Sequence, residues 1–270
     1  MNEHIRQAVE PKMTALFREV RESYGADRCA YPYVPVIPES YSDGPRILIC
    51  GKGAGSWGLD YAKIDGIGPE STLTKVPKKD WYPKVLEVQE AFIENGPKKY
   101  LSGERGGFSK GAWWRSLYRV MVHVLHGTEI GERWEKRLAN PDYAEYVFSH
   151  VAFTNLDKVA RRKNNLDAPL RRIHDRYYTL DKEIEVLKPC LVWFPTGRNY
   201  DEPLRKALPG FDTEDLEDLL EVARVHGLEG LLAPGGAAVR TYHPQGVKGS
   251  RIKDFAGYLR GIYLSACDPS

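Results

Sequence analysis

The chain has 270 residues, with 39 Lys plus Arg against 37 Asp plus Glu, a near balance that removes global charge as an argument for a nucleic-acid partner and leaves local clusters to carry it. That length supports a sizeable core and one large α/β domain rather than two small ones. Cysteines at 29, 50, 190 and 267 form no CxxC pair or metal-ligand spacing, no stretch approaches about 20 uninterrupted apolar residues, and the N-terminus MNEHIRQAVEPKM has no apolar signal core, so reduced cysteines and a cytoplasmic protein without a membrane partner are expected.

In chain order, residues 4–24 carry Ile5, Val9, Met13, Leu16, Phe17 and Val20 at helical spacing and predict a helix, with Pro11 as a break point. Residues 29–45 are rich in proline and tyrosine and are expected to wrap the surface, which makes 1–45 a helical and proline-rich extension of a single domain. Arg46 to Cys50 reads as a buried strand, because Ile47, Leu48 and Ile49 are apolar and the run stops at a glycine. A polar loop over 59–80 follows, then helices over 81–95 and 112–125. "YVFSHVAFTNL" at 146–156 has a strand-like centre ending at Thr154 and Asn155; 171–188 reads as helix and "PCLVWFPTG" at 189–197 as strand. Short strands before His243 and a helix over 253–264 complete the chain. The alternation predicts a three-layer α/β/α sandwich with a central, mainly parallel sheet, in which ligands bind beyond the C-terminal strand ends.

Four stretches arrive at those ends: 51–58, 154–158, 197–200 and 243–250. In the first, "GKGAGSWG", Gly51, Gly53, Gly55 and Gly58 free the backbone so that its N–H groups can approach a phosphate, a sugar or a base. Neither a GxGxxG turn leading directly into a helix nor GxxxxGK[ST] is met, which argues against dinucleotide and Walker-type sites.

Taken in order, "ILICGKGAGSWG", "FTNLDK", "EIEVLKPCLVWFPTG" and "TYHPQG" resemble the uracil-DNA glycosylase superfamily over roughly residues 45–264. The resemblance implies a uracil-DNA glycosylase-like fold and a pocket for a nucleotide swung out of DNA. It matches Gly51, Lys52, Gly53 and Gly55 to the base-shelving first motif and Asn155 to the residue that bonds to the base edge. His243 then stabilises negative charge on the departing base, Trp57 or Tyr61 supplies an aromatic face under it, and 245–251 enters the vacated base stack. The first motif departs from the family at Lys52, Gly53 and Ala54, where relatives often carry Asp, Asn or Glu. Asp60, Asp65 and Asp157 are the acidic candidates for orienting water, with Asp60 taken as the catalytic one.

Base excision builds positive charge on the sugar and negative charge on the leaving base, so a carboxylate and a histidine are suitable stabilisers. The bland roles of the same residues are a strand-end turn for Asn155, a cap for His243, core packing for Trp57 and solvated loop acids for Asp60 and Asp65. "KVARRKNNLDAPLRRIHDR" concentrates Lys158, Arg161, Arg162, Lys163, Arg171, Arg172 and Arg176 shortly after Asn155, and Lys248 and Arg251 follow His243; this positive surface supplies the candidate phosphate contacts, Lys158, Arg161, Arg162, Lys163, Lys248 and Arg251 first among them, a solvated helix face being the alternative. The small residues at 53–55 and the long loops 59–80 and 96–111 leave room for a base larger than uracil, of the modified kind phages carry, with Lys52, Arg105 and Lys110 as partners for its polar decorations if those loops cover the pocket. The expectation is a monomeric DNA glycosylase with DNA as partner and no cofactor or metal, the cysteines lacking the spacing of an iron–sulfur site. A non-catalytic nucleic-acid-binding protein and a nucleoside-processing enzyme are the competing classes.

Overall fold

The computed structural model describes residues 1–24, 29–53, 82–83, 85–87, 89–90, 112–127, 141–161, 166–216, 222–242 and 251–267. A mixed six-stranded sheet forms the middle layer, in the order β3 (Val151–Asp157), β2 (Ile47–Gly53), β5 (Leu191–Phe194), β8 (Ala237–Arg240), β7 (Ala223–His226) and β6 (Asp212–Asp215). The first four strands are mutually parallel, and β7 and β6 add an antiparallel edge.

Strand alternation sends successive apolar side chains to opposite faces, and helices cover both. Leu48, Cys50, Ala152, Val192 and Phe194 face α1 (Asn2–Glu19), α4 (Ala168–His174) and α5 (Leu180–Leu187), while Ile47, Ile49, Val151, Phe153 and Trp193 face α2 (Ala112–His126), α3 (Pro141–His150) and α7 (Arg251–Cys267). A short helix α6 (Asp201–Ala207) follows β5. The three-layer α/β/α arrangement is therefore present, with helices on both faces of a mostly parallel sheet.

Several local expectations are corrected. The N-terminal helix does not break at Pro11: the proline is on the exposed side, where Gln7 is also exposed, while Ile5, Val9, Met13 and Leu16 are buried in the same cluster as the sheet. The apolar face of α1 is thus part of the core. Nor does 29–45 wrap the surface, since Val34, Ile37 and Tyr41 are buried, β1 (Cys29–Pro32) pairs with β4 (Val159–Arg161), and Val36 bridges to Phe153. The strand expected around 146–156 begins only at Val151, because Pro141 opens a helix that runs to His150. The helix expected over 171–188 is two helices; Asp167 caps the first by accepting from the Leu170 N–H at 3.2 Å, and the chain breaks at Asp175–Thr179.

Cys190 is not a reduced core residue. It is disulfide-bonded to Cys267 with the Cα atoms 5.2 Å apart, tying the start of β5 to the end of α7, whereas Cys50 is a buried free thiol. Among the described residues, no helix is long and apolar enough to cross a membrane.

Candidate functional site

Because β3, β2, β5 and β8 are parallel neighbours, their C-terminal ends share one edge of the sheet. The described parts of three of the four stretches singled out in the sequence, 51–53, 154–158 and 197–200, belong to these ends or follow directly from them, and 243–250 lies outside the described residues. Register places Gly51 opposite Asn155 and Gly53 opposite Asp157.

Asn155 is 3% exposed and its Nδ2 has no hydrogen-bond partner among the described residues. Its amide lies across the neighbouring strand: a Cβ on Gly51 would meet Asn155 Oδ1 at 2.4 Å. Gly51 is therefore what lets the amide occupy that position. Thr196, on the turn after β5, is 0% exposed and its Oγ1 is likewise without a partner among the described residues. Buried polar groups of this kind are uncommon, because each costs about 1–3 kcal/mol when left unmade.

On the opposite side of β3, Thr154 faces a buried polar network. Lys158 Nζ lies 2.7 and 3.0 Å from the two Glu183 oxygens and donates to Thr154 Oγ1 at 2.6 Å. Thr154 donates to Glu183 at 2.6 Å and Thr179 donates to it at 2.5 Å, so the carboxylate is fully engaged. Lys158, expected as a phosphate contact, is 1% exposed and points inward. That expectation is corrected: an ammonium carried on α-helix-covered sheet finds a carboxylate there rather than DNA.

Asp157 forms a second cluster. Arg171 donates to its two oxygens at 2.5 and 2.9 Å, and the Tyr200 hydroxyl donates to Oδ2 at 3.2 Å. Arg171 also donates to Tyr178 Oη at 3.2 Å, and Tyr178 donates to Asp175 at 3.1 Å. Burial pushes the Asp157 carboxyl up to about 6, against the opposing pull of Arg171, which leaves it ionised at neutral pH. For Arg171, burial works downward, but Asp157 outweighs it and holds the guanidinium above its ordinary value. The half-buried Lys52 lies with its Nζ 5.3 Å from the Tyr200 ring centroid, and the Arg171 guanidinium is at the same distance. Three strand ends thus meet on Tyr200: Lys52 from β2, Asp157 from β3 and Tyr200 itself after β5.

Of the residues expected at the site, the structure brings together Gly51, Lys52, Gly53 and Asn155. Gly55, Trp57, Asp60, Tyr61, Asp65, Arg105, Lys110, Arg162, Lys163, His243 and Lys248 lie outside the described residues. Arg161 and Arg251 are described through their backbones, in β4 and at the start of α7. Tyr200 closes the 197–200 stretch expected at this edge, and Arg171, one of the basic run offered as phosphate contacts, is engaged by Asp157. Thr196 and Glu183 are polar residues whose places here the sequence did not assign; the Thr196-Gly197 pair closing an apolar strand is the one local signal, parallel to Thr154-Asn155 on β3. Among the described residues there is no group of three or more His, Cys, Asp or Glu side chains arranged to hold a metal ion. Compared with family models, curated proteins and solved structures, the chain matches none.

Proposed function

We propose that the chain is a DNA glycosylase with a uracil-DNA glycosylase-like fold, hydrolysing the N-glycosidic bond of a damaged or modified base. The observation that carries the reading is Asn155, a buried amide donor without a partner among the described residues, at the C-terminal edge of a parallel sheet and lying over a glycine. A base edge carrying an acceptor would complete its hydrogen bonding, and a base swung out of the helix is small enough to be enclosed. In this reading Asn155 fixes the base, His243 stabilises its developing negative charge, and a carboxylate, Asp60 or Asp65, orients water toward the sugar. Asp60 remains the first candidate for that carboxylate. Duplex energy lost on extruding the nucleotide, a few kcal/mol, is offset by these contacts and by stacking.

A second reading is a nucleic-acid-binding protein without catalysis, and one observation favours it. Asp157 is held on both oxygens by Arg171, so this carboxylate is engaged in structure rather than free to orient water. Base release separates the two. Oligonucleotides with uracil or other altered bases, together with modified phage DNAs, are incubated with the native protein, Asn155→Ala and His243→Ala, and abasic sites are revealed by strand cleavage in alkali. Release by the native protein that both variants lose supports the glycosylase; binding across the panel without abasic sites supports the binder.

A further inference from the structure

The turn after β5 carries a polar group that the strand-end hydrogen bonding leaves over. Gly197 N–H donates to the Thr241 carbonyl at 2.9 Å, and Thr241 N–H donates to the Phe194 carbonyl at 2.9 Å, so the turn is fastened to β8 on both sides of Thr196. The Thr241 hydroxyl accepts from Trp193 Nε1 at 2.8 Å and donates to the Tyr242 carbonyl at 3.1 Å. Its own hydrogen is therefore used, and the neighbouring Thr196 Oγ1 is left without a partner among the described residues while fully buried.

The sheet register sets this group against Asn155. β2 lies between β3 and β5; Asn155 is opposite Gly51 on one side, and on the other Trp193 is opposite Ile49, with Thr196 three residues further along. The two unpartnered groups therefore flank the end of the same strand. They differ chemically: Asn155 has an amide donor to offer, whereas a threonine hydroxyl both donates and accepts.

We propose that Thr196 is a second ligand-contacting residue, its hydroxyl bonding to a polar atom of the flipped-out nucleotide that Asn155 meets from the other side of β2. The assignment rests on the glycosylase reading and extends it to a residue the sequence motifs do not mark. Other buried hydroxyls among the described residues, those of Tyr41 and Tyr258, are unpaired as well; what sets Thr196 apart is its place at the C-terminal ends of the parallel strands, across β2 from Asn155. A ligand-facing hydroxyl is unpaired until the nucleotide arrives, at a cost to the free protein and a gain to the complex.

Thr196→Val removes the hydroxyl and keeps the shape. Its urea unfolding midpoint is expected to equal or exceed that of the native protein, while kcat/KM for base release from the panel DNA that the native protein cleaves falls about tenfold. Thr196→Ser, which restores the hydroxyl, is expected to recover most of that loss. A lower midpoint for Thr196→Val assigns the hydroxyl to structure and overturns the proposal, as does unchanged base release at an unchanged midpoint. If the native protein releases no base from any DNA, the glycosylase reading fails and this assignment fails with it; if it releases base and Thr196→Val does so equally, only this assignment fails.

Discussion

The Asn155 amide occupies the space that a side chain on residue 51 would need, since a Cβ there would come within 2.4 Å of Asn155 Oδ1. The atom in the way is the end of a flexible side chain, so Gly51→Ala is expected to turn the amide aside and to cost below about 1 kcal/mol in stability. Base release by Gly51→Ala should fall as far as in Asn155→Ala, with the urea midpoint nearly native. Full activity in Gly51→Ala would show that the position of this amide does not matter.

Lys158 and Glu183 form an ion pair with side chains 2% and 0% exposed. Removing one partner leaves a buried charge unpaired, so Lys158→Met is expected to destabilise by about 3–5 kcal/mol, and Lys158→Met with Glu183→Leu by much less. Since the ammonium faces inward, the double variant should keep the native slope of log DNA affinity against log salt. A slope reduced by about 1 would return Lys158 to the phosphate contacts.

The Cys190–Cys267 bond closes a loop with a sequence separation of 77 and fastens α7 to the sheet. Chain-entropy arguments give it about 4 kcal/mol of stability. Urea unfolding with and without a thiol reductant checks this: the reduced protein should unfold at lower urea, and the Cys190→Ser, Cys267→Ser double variant should match the reduced protein in either condition. Coincident curves for the native protein would mean that the bond contributes nothing.

His174 is buried beneath β4, with Nε2 3.1 Å from the Val159 carbonyl, and burial together with Arg171 lowers its pKa from 6.5 to about 3. The folded state thus binds its proton less readily than the unfolded chain does. The resulting stability is present above about pH 6.5 and is lost as pH falls toward 3, on the order of 4 kcal/mol over that window. Asp157 acts with opposite sign: raised from 3.8 to about 6, it favours the fold below pH 3.8 and withdraws that contribution as pH rises through 6. His174→Gln, which keeps an uncharged donor, is expected to flatten the decline in unfolding free energy between pH 6.5 and 4. An unchanged acid limb would remove His174 as its cause.

What the sequence determined by itself is the layering and the sheet edge at which the candidate residues gather. Apolar runs at 47–50, 151–153 and 191–194, each ending at polar or glycine residues, require buried parallel strands, and parallel strands bring Gly51, Asn155 and the turn at Thr196 to one side of the sheet whatever the details of packing. What only the tertiary structure decided is which polar residues are engaged with one another. Lys158 looks in sequence like one of a run of surface cations, yet its ammonium is taken by Glu183, 25 positions later; Asp157 looks like a free strand-end acid, yet Arg171 covers it. The antiparallel edge of β6 and β7 and the Cys190–Cys267 bond were also decided at this level. Such pairings depend on distances between segments remote in the chain, whereas hydrophobic periodicity depends only on near neighbours, and that is why the sheet could be read locally and the fate of each charge could not.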